Sequence, residues 1–180
     1  DHAYMENIWL FGYGSLIWNP DIPYIDSSPA RVNGFVRRFW QGSHDHRGTP
    51  QNPGRVVTLV PSKTQHCTGI AYLVSKNNAE NFPKKEHREK NGYAKLSIKL
   101  SLINDISKNG ITYIAKETNH AFLGPGPIQS IAEQIFRCSG PSGKNKDYLF
   151  ELARSLRQYD FIDQHIFELE SIVKDLERIS

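Results

Sequence analysis

Ile8-Trp9-Leu10-Phe11-Gly12-Tyr13-Gly14-Ser15-Leu16-Ile17-Trp18 is the stretch on which the reading of this chain turns. Four apolar residues run straight into a glycine pair and a serine, the pattern of a buried strand that breaks into a tight loop. The two glycines allow the backbone positive φ and a close approach to a bound group. Successive turned amides then form a nest of N–H donors suited to a carboxylate or carbonyl oxygen. The same residues also fit an ordinary turn that binds nothing. They fit a phosphate cradle poorly, because the third glycine and following helix of a dinucleotide fingerprint are missing. The nucleophile-elbow pattern fails as well, since Tyr13 and Ile17 stand where glycines are needed, and Ser15 is not required as a nucleophile.

Downstream, Asn19-Pro20-Asp21-Ile22-Pro23 is a stiff, non-helical connection. Residues 30–40 have strand composition with a bulge expected at Gly34. Arg37 and Arg38 in that strand have two readings: alternation between solvent and a structural carboxylate, or capture of a substrate carboxylate. Residues 42–54 form a loop long enough to be functional or mobile, and it is expected to line a mouth. His44 and His46 in this loop lack the further ligands that zinc needs. Strands are expected at 55–60 and 67–74, joined as a hairpin by a short polar turn. A helix capped by Asn77-Asn78 follows to about Lys90 and stops at Asn91-Gly92, with Pro83 splitting or kinking it. Residues 93–102 alternate Ala94, Leu96, Ile98, Leu100 and Leu102 against Tyr93, Lys95, Ser97 and Lys99, a half-buried strand. After a turn at Lys108-Asn109-Gly110, another strand covers 111–118.

The last third changes period. Ile128, Ile131, Ala132, Ile135 and Phe136 recur at helical spacing behind Pro127, and Leu149, Leu152, Ala153 and Leu156 repeat the pattern with Asn145 as the expected cap. Ile166, Leu169, Val173 and Leu176 give a C-terminal helix over 164–180. Strands first and helices later, without βαβ alternation, predict an α+β fold, a mixed sheet or small barrel covered by helices. The 180 residues suit a single domain, 1–180.

Composition excludes some classes. The net charge of +3 comes from scattered lysines and arginines, so no nucleic-acid partner is expected. No run of about eighteen apolar residues occurs, so no membrane span is expected. Only Cys67 and Cys138 occur, too few for a disulfide framework, which fits a cytoplasmic, reducing location. The first four residues, Asp-His-Ala-Tyr ahead of Met5, read as an addition foreign to the fold.

Glu89 breaks a local rule. It lies at the expected C-terminal pole of its helix, where a carboxylate is disfavoured by about 0.3–1 kcal/mol. Such violations mark functional residues, although Arg88 and Lys90 also make a surface ion pair an adequate explanation. The negative pole raises proton affinity, which suits a general base working near neutral pH, and Glu86 shares the same helix face.

Five motifs in one order carry a resemblance. They are residues 11–18, Arg37-Arg38-Phe39-Trp40, Asp45-His46-Arg47-Gly48-Thr49, Arg88-Glu89-Lys90-Asn91-Gly92-Tyr93 and Gly140-Pro141-Ser142-Gly143. Together the chain resembles the ChaC-type γ-glutamylcyclotransferases, which act on glutathione, from about Ile8 to Leu156. The resemblance implies a small mixed β-barrel flanked by helices and a cytosolic enzyme without cofactor or metal. It implies that Gly12, Tyr13, Gly14, Ser15, Leu16 and Ile17 hold the γ-glutamyl group and that Glu89 accepts the proton. The chain departs from the family pattern just upstream, with Lys84-Lys85-Glu86-His87 where a Tyr-Leu-Asp type sequence is usual. Glutathione would be split into 5-oxoproline and Cys-Gly. Other γ-glutamyl peptides or amines are the alternative substrates within that fold, and a non-catalytic module that binds a peptide or small acid is the alternative outside it.

Overall fold

The computed structural model of the protein describes residues 6–85 and 93–180. Five strands, β1 (Asn7–Gly12), β2 (Asp26–Ser43), β3 (Gly54–Ser75), β4 (Ala94–Leu102) and β5 (Ser107–Ile114), close a barrel in the order β1-β3-β2-β4-β5. β1 runs antiparallel to β3, with Asn7 opposite Ser75 and Gly12 opposite Ile70, and parallel to β5 at Trp9 and Leu10. The barrel is therefore mixed, as the α+β reading expects.

By its contacts the chain forms two compact units. The first comprises the chain up to Val36 with Leu59–His120, and the second Arg37–Thr58 with Ala121–Ser180. The barrel pairings just named belong to the first unit, whose interior holds Leu10, Phe11, Val32, Leu59, Ala71, Val74 and Leu100, all at most 1% exposed. β4 alternates as its sequence requires: Ile98 and Leu100 are buried while Lys95, Ser97 and Lys99 face solvent. β2 continues through Gly34, whose φ of +88° is the value a bulge glycine supplies.

Three expectations for this unit need correction. The polar segment 61–66 is no turn, because β3 runs unbroken through it. Those residues include no glycine or asparagine to supply the positive φ of a tight hairpin, and polar side chains are also what an exposed strand carries. The second correction moves the β4–β5 turn from Lys108-Asn109-Gly110 to residues 103–106. There Asn104 (φ 62°) and Asp105 (φ 58°) make the reversal, and the Leu102 amide donates to the Ile106 carbonyl at 2.8 Å. Gly110 instead sits inside β5 opposite Ile98, where a Cβ would stand 2.8 Å from the Trp9 carbonyl oxygen and 2.7 Å from Leu100 Cδ1. It is a close-approach glycine, which sequence alone does not separate from a turn glycine. Third, helix α1 (Lys76–Lys85) is capped by Ser75, whose Oγ accepts from the Asn78 amide at 3.1 Å, and not by Asn77 or Asn78. α1 passes through Pro83 without interruption, and the expected continuation to Lys90 lies outside the described residues.

The second unit holds residues 37–43 of β2, residues 54–58 of β3 and three helices. α2 (Ile128–Arg137), a two-residue hairpin of β6 (Ser139–Gly140) and β7 (Gly143–Lys144), α3 (Asn145–Gln158) and α4 (Gln164–Ile179) follow in order. Ile131, Ala132 and Ile135 of α2, Leu149, Leu152 and Leu156 of α3, and Ile166, Leu169 and Val173 of α4 are the buried stripes. α4 packs on both α2 and α3, so the C-terminal helix is part of this unit's core. Asn145 is not the cap of α3. Its side-chain amide is fully buried and pairs with the main chain of Arg55, Oδ1 accepting from the amide and Nδ2 donating to the carbonyl, each at 2.8 Å. None of the described helices is long and apolar enough to cross a membrane.

Candidate active site

β1 ends at Gly12, and after Tyr13 and Gly14 the chain winds into a single 3₁₀ turn, Ser15–Ile17. The turn's own bonds start with the Ile17 amide donating to the Gly14 carbonyl at 2.9 Å, which leaves the amides of Ser15 and Leu16 ahead of the first bond. Neither glycine adopts positive φ; Gly14 has φ −130°. Gly12 is required for space, since a Cβ there would stand 2.7 Å from Leu16 Cβ and 3.4 Å from the Tyr72 ring.

The side chains of Tyr13, Leu16 and Ile17 are buried, and Ser15 is half-buried. Aromatic hydroxyls hold the turn in place. Tyr72 Oη donates to the Leu16 carbonyl at 2.6 Å, and Tyr13 Oη donates to the Tyr113 carbonyl at 2.7 Å. Tyr113 in turn donates its own hydroxyl to the Ala79 carbonyl of α1 at 3.1 Å, with its ring 5.8 Å from that of Phe82. Tyr72 and Tyr113 were not singled out from sequence. Their signal was a polar-tipped aromatic inside an otherwise apolar strand, where the hydroxyl must find an acceptor. Glu89 and Glu86 lie outside the described residues, four and one positions after α1 ends.

The remaining motifs fall in the second unit. Arg37 is 1% exposed and its Nε meets Asp163 Oδ2 at 3.0 Å, which bears out the structural-carboxylate reading for this arginine. Arg38 donates Nη1 to the Arg37 carbonyl at 2.8 Å. Arg55 donates Nε to Gln134 Oε1 at 2.6 Å and Nη1 to the carbonyls of Phe39 (2.8 Å) and Gly124 (3.2 Å), and burial lowers its pKa. His165 accepts from the Phe39 amide through Nε2 at 3.1 Å. Burial, with Arg38, Arg37 and Arg55 adding to it and Asp163 opposing, pushes its pKa down to about 4, so the ring is neutral.

The loop after β2 is tied to the hairpin. The Ser142 amide donates to the His46 carbonyl at 2.9 Å, His46 Nδ1 lies 3.1 Å from Ser142 Oγ, and Arg47 Nη1 donates to the Lys144 carbonyl at 3.1 Å. Two of the motifs, 45–49 and 140–143, are thus two sides of one contact.

The ChaC-like protein family model matches residues 8–176, a span that holds the 3₁₀ turn and Glu89 alike. The chain belongs to the ChaC-like family. Among the relatives of this ChaC-like chain, γ-glutamylcyclotransferase 2-3 of Arabidopsis thaliana is 40% identical over 94% of this chain and 89% of its own. A glutathione-specific γ-glutamylcyclotransferase 1 of Danio rerio is 37% identical over 92% of this chain and 88% of its own. The crystal structure of a yeast γ-glutamyl cyclotransferase specific to glutathione superimposes with a TM-score of 0.85 at 30% identity, covering 95% of this chain and 99% of that one. The ChaC-like chain therefore has the γ-glutamylcyclotransferase fold.

Proposed function

We propose that this ChaC-like chain degrades glutathione by intramolecular cyclisation, releasing 5-oxoproline and Cys-Gly, with Glu89 as general base and residues 12–17 as the γ-glutamyl cradle. The observation that carries this reading is the family match over residues 8–176, in which the Gly12–Ile17 turn and Glu89 both stand.

The substrate supplies its own nucleophile. Its α-amine folds back onto the γ-carbonyl, forming the C–N bond of a five-membered lactam. The bond from the same carbon to the cysteine nitrogen then breaks. The amine must lose a proton to attack, and the leaving nitrogen must gain one. Glu89 takes the first proton and returns it to the cysteine nitrogen, a task typically worth ~10²–10⁴ in rate. The amides of Ser15 and Leu16 are the candidate donors to the oxygen that becomes negative as the carbon turns tetrahedral. Holding a flexible chain folded back on itself makes proximity a large contribution. No step calls for a metal or a covalent enzyme intermediate. Two buried cysteine thiols, Cys67 and Cys138, support a cytoplasmic location.

Purified protein incubated with glutathione should yield 5-oxoproline and Cys-Gly in equal amounts. A parallel panel of γ-glutamyl amines and other γ-glutamyl dipeptides reads the substrate range. Absence of 5-oxoproline from every γ-glutamyl compound would leave only a binding role.

A further inference from the structure

We propose that the second unit carries a binding site for a small oxyanion, a carboxylate or a phosphate, held by the guanidinium groups of Arg38 and Arg55 beside His165. The site lies within this unit alone and stands whether or not the chain cyclises glutathione. Its frame is one edge of β2. The Phe39 amide donates to His165 Nε2 at 3.1 Å, and the Phe39 carbonyl accepts from Arg55 Nη1 at 2.8 Å. Two positions back, the Arg37 carbonyl accepts from Arg38 Nη1 at 2.8 Å. In a strand, the N–H and C=O of one residue and those of the residue two places away leave on the same edge. Arg38, His165 and Arg55 therefore line that edge together.

Both arginines are half-buried and held by neutral groups. Arg55 is fixed from three directions, through Nε on Gln134 Oε1 and through Nη1 on the carbonyls of Phe39 and Gly124. Gln134 is itself anchored, its Nε2 donating to the Pro53 carbonyl at 2.8 Å. A glutamate at 134 would neutralise the guanidinium, whereas the amide orients it and leaves its charge uncompensated. Arg55 Nη2, and the Nε and Nη2 of Arg38, are engaged by no described residue, and neither arginine pairs with a carboxylate among the described residues. The charges that bear on His165 are the cations Arg38, Arg37 and Arg55 and the single anion Asp163. That carboxylate is already taken, Oδ2 by Arg37 at 3.0 Å and Oδ1 by the Ile166 amide at 3.2 Å. Two positive charges are left in excess beside a neutral ring. Planar guanidinium forks match the oxygens of a carboxylate or phosphate, and one already fixed in place loses little freedom when it binds. His165, whose Nε2 is occupied as an acceptor, carries its proton on Nδ1 and reports any charge that arrives next to it.

The test titrates the full-length protein at neutral pH and constant ionic strength with inorganic phosphate, acetate and the dipeptide Cys-Gly in turn. NMR follows the His165 ring signals, assigned by comparison with His165→Gln. Wild type should show a saturable shift with at least one probe, together with a raised melting temperature. A response to phosphate alone identifies an inorganic anion as the ligand; a response to acetate or Cys-Gly identifies a carboxylate. Arg38→Gln removes charge-assisted bonds and should weaken that binding about tenfold or more. Gln134→Glu, which sets a carboxylate against Arg55 Nε, should weaken it as well. Gln134→Glu also gives up the Pro53 bond and can lose stability, but Arg38 makes a single described bond, so its variant decides the matter in folded protein. The site is overturned by the absence of a saturable shift with all three probes, by a shift that sodium chloride reproduces, or by equal affinity in wild type and Arg38→Gln.

Discussion

Arg37 and Asp163, 126 positions apart in sequence, share one carboxylate between two duties. Oδ2 meets the buried Arg37 Nε at 3.0 Å, and Oδ1 accepts from the Ile166 amide at 3.2 Å, capping α4. Asp163→Ala leaves a guanidinium with 1% exposure without this partner and removes the cap. It should destabilise the protein by about 3–5 kcal/mol. Asp163→Asn, which keeps a cap acceptor, should cost less. Urea unfolding of the two variants beside wild type reads the difference.

Stability should fall as the solution is acidified from about pH 6.5 towards 4. Folded His165 has a pKa near 4 against 6.5 for the free side chain, so in this window the unfolded chain binds a proton that the folded one refuses. The slope has an upper bound of about 1.4 kcal/mol per pH unit from this group. His165→Gln, which retains an acceptor for the Phe39 amide but cannot titrate, should flatten that part of the profile. Denaturation midpoints at several pH values decide it; an unchanged slope would mean that other groups govern this range.

Glu89→Gln should keep the circular-dichroism spectrum and melting temperature of wild type and lose about 10²-fold or more in 5-oxoproline production. A variant that keeps most of its turnover would sink the assignment of the base.

Gly12→Ala puts a methyl 2.7 Å from Leu16 Cβ, and the 3₁₀ turn must shift to admit it. The expected cost is about 1–3 kcal/mol in stability, with turnover of glutathione falling further than the stability loss explains. Comparing melting temperature with kcat/KM separates the two.

Much of this was legible in the residues. Alternation in β4 and the helical spacing of Ile131 and Ile135, of Leu149, Leu152 and Leu156, and of Ile166, Leu169 and Val173 all report burial, which sets those patterns directly. What could not be read were the features decided by a distant partner. Gly110 looks like a turn glycine until Trp9 is set against it, and Asn145 looks like a cap until Arg55 supplies a main chain to pair with. The polar run in β3 failed for a different reason, because period and polarity describe exposure and an exposed strand resembles a loop. At the candidate site, the Gly12–Ile17 turn announced itself through its glycines. Tyr72 and Tyr113 did not, since a tyrosine among apolar neighbours carries no record of the carbonyl its hydroxyl will reach.

The burial of Asn145 also has a chemical side. Asparagine slowly hydrolyses to aspartate as proteins age, a change that would replace the Nδ2 donor with an oxygen facing the Arg55 carbonyl. Sealed at zero exposure in the first turn of a helix, where the main chain is held away from the geometry that side reaction needs, this amide keeps its identity. The arrangement that lets one side chain imitate a neighbouring strand thereby also protects it from slow decay.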